Sequence, residues 1–477
     1  MDDLMNKTAT SFQLNGTSVS AHPETGARLS QILREEFGAR DVKIGCNAGD
    51  CGACTVLVDG DPVCACLMPA HQAAGRSVET ISGLYQTDDH AKDLAERFQD
   101  HGAAQCGVCT PGMMVSAVAL LRENPTPNVE EVQDALGGVL CRCTGYRKII
   151  DAVIGVPANI EKSDGQVGDT IRKVDGEDKV AGRETFGDDV APTGTLEIFV
   201  IRSPFHRAAF SLGDLDEFVS NSQGIEAFLT AEDIGGRNVF GVIPQFMDQP
   251  VFAETETRFR GEAVAAVIGT PEAIAKFDPE TFPVSWTELA AVNNIVSAQK
   301  PTAVQLHEGR EFNVMCGGFV SSGDAKAALA RADVTVEGHF NSGFVEHAYI
   351  EPEAGFAEMV NGRVEVHACT QAPVMDLDSL TIILGIDRSM IRIVPTAVGG
   401  GFGSKLDISV QPFLALGAMK TGKPVRLCYT RTESMQSSTK RHPSDIQLKI
   451  GATTDGKITG FNFYGEFNTA IDCPGSF

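Results

Sequence analysis

Nine of the thirteen cysteines lie between Cys46 and Cys143, in four short groups: CNAGDCGAC (Cys46, Cys51, Cys54), CAC (Cys64, Cys66), CGVC (Cys106, Cys109) and CRC (Cys141, Cys143). Ordinary core cysteines are scattered, as Cys316, Cys369, Cys428 and Cys473 are; these nine are not. A disulfide framework belongs to secreted chains, whereas MDDLMNKTATSFQLNG carries acids where a signal peptide needs basic residues, and no apolar stretch follows it. A cytoplasmic location is therefore expected, and clustered thiols in a reducing compartment are expected to ligate metal.

The spacing says which metal chemistry. Cys46, Cys51 and Cys54 form C-x4-C-x2-C, the plant-type [2Fe–2S] run, which takes a fourth thiolate from a later strand. Zinc sites favour C-x2-C pairs instead. Glycines at 45, 49 and 52 let such a loop take positive φ and bring its N–H groups close to sulfur. TVLVDGDPVCACL reads as a hairpin about Asp59-Gly60, with Thr55, Leu57 and Val63 in period-2 strands, so Cys64 and Cys66 share a face and geometry alone does not choose between them. SFQLNGTSVS offers two strands across Asn15-Gly16, and Leu29, Ile32, Leu33 and Phe37 mark one face of a helix. A β-grasp, ferredoxin-like domain over residues 1–86 is expected.

QCGVCTPGMM and CRCTGYRKII carry the second set, Cys106, Cys109, Cys141 and Cys143. Between them Pro111 starts one helix, with Met114, Val118 and Leu121 apolar, and Asn128 with Glu131 caps another, so residues 87–158 are expected to be helical. By spacing alone, a four-cysteine zinc site remains open for this set.

Residues 159–189 turn polar, acidic and Gly-rich and are expected to be a linker. GEAVAAVIGTPEAI (261–274) then reads as an apolar strand running into a helix. VGGGFGSKLD (398–407) has neither the G-x-x-x-x-G-K-[ST] nor the G-x-G-x-x-G order, so its glycines are better suited to presenting backbone N–H groups to a bulky anionic ligand. His347, Glu351 and Glu353 could chelate a metal, but no preferred ligand spacing supports it. With 39 Lys+Arg against 63 Asp+Glu, a net charge of −24 disfavours nucleic acid and anionic membranes as partners. The longest apolar runs, such as MMVSAVALL, fall far short of the roughly 20 residues of a membrane span.

Ala65-Cys66-Leu67 after the first cysteine run, QCGVCTPG, CRCTGY, FVEHAYIEPEAGFAE (344–358) and VGGGFGSK together resemble the molybdenum hydroxylases, the xanthine dehydrogenase and aldehyde oxidoreductase family. The resemblance implies a multidomain α+β chain. A β-grasp [2Fe–2S] domain and a helical-bundle [2Fe–2S] domain precede a first α/β lobe (190–300) and the N-terminal part of a molybdopterin-binding domain (301–477), incomplete at the C-terminus. It makes Cys66 the fourth ligand beside Cys46, Cys51 and Cys54, leaving Cys64 a spare, partly buried thiol, and gives the second cluster to Cys106, Cys109, Cys141 and Cys143. Gln105 and Cys143 would lie next to the pterin, with a helix cap as the plain alternative for Gln105. Gly401, Phe402 and Gly403 would face the molybdenum. Residues 344–358 would form a strand beside the cofactor, their side chains acting around a metal held by the pterin.

Implied cofactors are two [2Fe–2S] clusters and molybdenum-molybdopterin shared with a partner, a cytosine dinucleotide form included among the choices; FAD enters only on a separate subunit, since no flavin domain intervenes. No catalytic residue is expected here, because the family's Glu base would lie beyond Phe477 or on the partner that carries the rest of the molybdenum domain. Val345 and Leu406 stand where the xanthine-oxidising members have a Gln and a Glu, which points to an aldehyde or another N-heterocycle as the small-molecule substrate; Asp407 is a candidate to replace that Glu in part. The expected function is oxidation with water-derived oxygen and electron exit through both clusters. The alternatives are an electron-transfer subunit whose residues 195–477 only dock, and an inactive truncated product.

Overall fold

A computed structural model describes residues 9–158, 165–307 and 309–468. The N-terminal unit is a five-stranded mixed sheet, in the order 17–21, 10–14, 77–79, 55–58, 61–64. Both hairpins turn on two residues at positive φ, Asn15-Gly16 and Asp59-Gly60, whose twist matches that of paired strands. Helix Leu29–Glu35 buries Leu29 and Leu33 against this sheet, and Ile32 in a smaller cluster with Ala21 and Ala70. Phe37 lies past the helix end rather than on it, yet still packs edge-on to Phe12, with ring centroids 5.7 Å apart. Cys66 likewise lies beyond its strand, which ends at Cys64.

The second unit has helices at 81–87, 89–101, 110–123, 129–136 and 147–154. Pro111 stands in the first turn of Thr110–Glu123, and Asn128 with Glu131 closes a capping box, both as expected. Ile81 and Leu84 sit in this unit's core beside Phe98, Met113 and Met114, so helix Ile81–Thr87 belongs here and the boundary falls before residue 86.

The linker expectation fails in its second half. Residues 165–175 are exposed, but Gly176–Val180 is a short helix and Val180, Ala181, Phe186 and Gly187 are buried. Asp189 receives Arg34 at 3.0 Å and Lys43 at 2.8 Å, and Asp188 receives Arg34 at 2.7 Å. The acidic composition that suggested a solvated segment serves to pair buried cations of the first unit. Residues 159–164 lie outside the described residues.

In the remaining chain the first α/β lobe and the molybdopterin-binding part share a sheet. Strands Leu196–Arg202, Ile225–Leu229 and Ala263–Gly269 join Ala354–Val360, Arg363–Ala368, Ile391–Pro395 and Val425–Cys428 in one seven-stranded sheet. The seam is the parallel pairing of Val425 with Leu196 and Arg426 with Glu197. One core runs across it, with helices Pro373–Leu384 and Gln411–Thr421 contributing Leu380, Ile383, Phe413 and Leu414. Ala263–Gly269 runs into helix Pro271–Ala275 as expected. The 344–358 segment is a strand only from Ala354; Phe344–Glu353 is loop.

Beside a three-stranded sheet of 208–212, 256–257 and 284–288, a second one (334–342, 444–452, 458–467) completes the fold. One of its faces aligns Val336, Ile450 and Phe461 across the strands, and Val336, Phe340, Phe461, Phe463 and Phe467 are all exposed. Among the described residues no helix is long and apolar enough to cross a membrane.

Candidate functional site

The loop between helix Leu29–Glu35 and strand Thr55–Val58 carries Cys46, Cys51 and Cys54, and the turn after the hairpin brings Cys64 and Cys66 to Cys54. Backbone N–H groups point at sulfur: Ala48 and Cys51 donate to Cys46 Sγ at 3.3 and 3.4 Å, and Cys66 donates to Cys54 Sγ at 3.4 Å. Such donors stabilise a thiolate, and the hydrogen bond with Cys51 holds the Cys46 thiol down at about 5. Thiols so arranged fit an iron–sulfur cluster, which is held by thiolates and tuned by hydrogen bonds to its sulfurs. Among the described residues no three His, Cys, Asp or Glu are gathered about a point suited to one ion.

Gly52 does a second job that the sequence did not reveal. At φ +66°, a Cβ there would stand 2.0 Å from the Gly138 carbonyl oxygen, so only glycine lets the first loop touch the helical unit. Beside it Leu140 N–H donates to Cys51 O at 2.9 Å.

In the second set Cys109 caps helix Thr110–Glu123, and its thiol interacts with that of Cys141, while Cys106 interacts with Cys143. Hydrogen bonds from Cys109 and Cys143 lower the Cys141 thiol to about 2. Tyr146, itself at φ +65°, pins the CRC loop: its hydroxyl accepts from Cys141 N–H at 2.8 Å and donates to Val139 O at 3.1 Å. Gln105 is exposed and caps no helix; its carbonyl accepts from Lys179 Nζ at 2.9 Å.

The glycine loop is anchored by a buried ion pair. Lys405 Nζ stands 2.7 Å from Glu351 Oε2, with the two side chains 2% and 4% exposed. Glu351 also accepts from Gly399 N–H at 2.6 Å and Gly187 N–H at 3.1 Å, and Tyr349 OH donates to Glu353. Glu351 and Glu353 are thus committed to holding the fold, and His347 does not join them in a metal site among the described residues. A Cβ on Gly399 would lie 2.3 Å from Glu351 Cβ, and one on Gly401 2.3 Å from Gln371 Oε1. Gly403 N–H donates to that Gln371 oxygen at 3.0 Å. Phe402 takes φ +55°, a strained conformation for a side chain, and is 46% exposed.

The N–H groups of Gly400, Gly401 and Phe402 donate to nothing among the described residues. Successive unpaired N–H groups around a left-handed residue form a concavity for an anionic ligand. Buried His347 Nδ1 and Glu353 Oε2, in the neighbouring loop, also lack protein partners. The loop fits a bulky, polar, anionic cofactor.

Three parts of the chain meet in one small apolar cluster. Cys51 and Ala53 from the first loop, Val108 from the second, and Phe186 and Ile350 are buried together, with Cys46, Cys106 and Ala397 against them. Polar contacts reinforce it: Arg431 donates to Gly45 O at 3.1 Å and Ile350 O at 2.7 Å, and Arg142, inside the CRC group, donates to His347 O at 3.3 Å. Tyr146, Lys405 and Arg431 were missed as positioning residues, although the first two lie inside motifs quoted above.

Beyond the glycine loop lies a cavity of about 260 Å³, lined among others by Ser404, Asp407, Glu353, Tyr429 and Phe344. Burial raises the Asp407 carboxyl to about 7. A carboxyl raised on folding contributes stability that is complete below its unfolded value near 3.9 and is lost as pH rises through 7. Asp407→Asn is therefore expected to gain on the wild type in melting temperature between about pH 4 and 7. Thermal melts across that range check it; an unchanging difference would contradict it. Val345 and Leu406, the two departures from the purine-binding pattern, are 40% and 36% exposed.

A 2Fe-2S iron-sulfur cluster binding domain model matches residues 12–77, a [2Fe-2S] binding domain model residues 80–154, and a molybdopterin cofactor-binding domain model residues 306–470. The aldehyde oxidoreductase of Megalodesulfovibrio gigas is 31% identical over 97% of this chain and 55% of its own length. The nicotinate dehydrogenase small FeS subunit of Eubacterium barkeri is 48% identical over 31% of this chain and 94% of its own. Among solved structures, aldehyde oxidoreductase from Desulfovibrio gigas superimposes with a TM-score of 0.86 at 30% identity, over 94% of this chain and 52% of that one. The chain spans about half the length of the aldehyde oxidoreductases it matches. With two [2Fe–2S]-binding domains ahead of a molybdopterin cofactor-binding domain, it belongs to the molybdenum hydroxylase family.

Proposed function

We propose that this chain is the iron–sulfur and partial molybdopterin-binding component of a molybdenum-dependent oxidoreductase acting on an aldehyde or N-heterocycle. The observation that carries the reading is the apolar cluster in which both thiol loops meet the residues beside the glycine loop. Bound there, the cofactors supply a molybdenum centre for inserting water-derived oxygen into a substrate C–H bond and two clusters for removing electrons singly.

The protein's own contribution is positional. Cys46, Cys51, Cys54 and Cys66 hold one cluster and Cys106, Cys109, Cys141 and Cys143 the other, with Gln105 and Cys143 facing the pterin. Gly401, Phe402 and Gly403 would face the molybdenum, their loop held by Glu351 and Lys405. Clusters so held would supply an electron exit from the helical unit to the ferredoxin-like one, the two units touching at Gly52 and Gly138. The names of the aldehyde oxidoreductase and nicotinate dehydrogenase relatives support the substrate class, as do the apolar Val345 and Leu406 in place of polar groups for a purine.

The subunit organisation that the nicotinate dehydrogenase relative's name prints supports a partner that supplies the rest of the molybdenum domain and its base, and FAD, if used, sits on a further subunit. Apolar patches of the kind carried by Val336, Phe340, Phe461, Phe463 and Phe467 mark interaction surfaces. Native mass spectrometry and metal analysis of the complex purified through this chain test the reading. Molybdopterin, in cytosine dinucleotide or another form, is expected together with iron and a stable partner. Recovery with iron alone, without molybdenum, would leave only an electron-transfer subunit.

A further inference from the structure

The first thiol set has five cysteines, one more than a [2Fe–2S] cluster takes. The fifth is not remote. Cys64 ends strand Asp61–Cys64 opposite Thr55, and its carbonyl accepts from Leu67 N–H at 2.9 Å. That bond closes a four-residue turn with Cys66 at its third position, and the turn folds both thiols toward one neighbour: each interacts with the thiol of Cys54. Both also lie within electrostatic reach of Cys46, across the loop. They share the apolar cluster of Val56, Val58 and Met68, with Cys66 at 2% exposure and Cys64 only partly buried 4.0 Å from Gly49 O. No other cysteine of the first loop has a second thiol two residues away on the same turn.

We propose that Cys64 is a standby ligand, able to take over from Cys66 the iron that Cys54 also binds. The inference rests on the proposed reading that this loop holds a [2Fe–2S] cluster. In the exchange one iron–sulfur bond to Cys66 breaks and one to Cys64 forms; the proton lost by Cys64 is matched by the proton gained at Cys66, and no electron is transferred. A cluster whose Cys66 ligand is damaged by oxidation or alkylation then keeps four thiolates.

The test uses the full chain as wild type, Cys66→Ala, Cys64→Ala and the double variant, with Cys66→Val as a second single variant that refills the buried volume. Alanine avoids the oxygen that serine would offer iron. Iron per chain and the EPR spectrum after reduction are read, the helical unit's cluster signal reporting in every sample that the chain has folded. Expected is full iron in either Cys66 variant with shifted g values for the first cluster, and loss of half the iron in the double variant. Alkylation mapping adds a separate readout: Cys64 reacts in the wild type and is protected in Cys66→Ala. Loss of the first cluster in the Cys66 variants as complete as in the double variant overturns the inference alone. A wild type without that cluster overturns the reading beneath it as well.

Discussion

Lys405→Met is expected to lower stability by about 3–5 kcal/mol, the cost of leaving a buried charge without its partner. Lys405 and Glu351 are 2% and 4% exposed, and burial opposes the ammonium, yet facing Cys369 and Glu351 hold its pKa above the ordinary value. Removing the cation leaves Glu351 with only the N–H groups of Gly399 and Gly187. Because Glu351 anchors Gly399, the change also loosens the loop proposed to face molybdenum. Urea unfolding gives the stability term, and the double variant Glu351→Leu/Lys405→Met is expected to be less damaging than the single change. A single-variant loss under about 1 kcal/mol would show that the ion pair does not hold the loop.

Gly52→Ala is expected to destabilise by about 3 kcal/mol, from a methyl forced into backbone at a left-handed position. A Cβ at Gly52 would meet the Gly138 oxygen at 2.0 Å and the Val139 Cα at 2.8 Å, neither of which can rotate away as a side chain can. Relief requires the first loop and the helical unit to separate. Electron transfer between the two clusters should slow, since the gap between their loops widens, while each cluster keeps its own spectrum. Freeze-quenched EPR after rapid reduction measures this; wild-type kinetics in a folded Gly52→Ala chain would refute a transfer route across this contact.

What was legible beforehand was local. The turns at Asn15-Gly16 and Asp59-Gly60, the Asn128–Glu131 capping box and the cysteine spacings each depend on residues a few positions apart. The fold expectations that failed depended on distant partners. Residues 176–189 looked solvated because the cations that Asp188 and Asp189 pair with, Arg34 and Lys43, lie 146 to 155 residues earlier in the chain. The sheet that runs across the division at residue 300 was not foreseen, because a parallel pairing between Leu196 and Val425 leaves no local trace. At the site the thiols could be read from spacing and the glycine loop from its motif. The groups that hold them, Lys405, Arg431 and Tyr146, act through contacts that only the folded chain displays.

The seam of the seven-stranded sheet also sets a timetable for synthesis. Strand Leu196–Arg202 leaves the ribosome more than two hundred residues before Val425, the residue that pairs with Leu196. Until then that flank of Leu196–Arg202 is an open edge, and open edges recruit other strands. The two thiol-bearing units, whose pairings close within their own residues, can fold during that wait. The part of the chain proposed to bind molybdenum is thus the last to mature and the most dependent on chaperone protection while nascent.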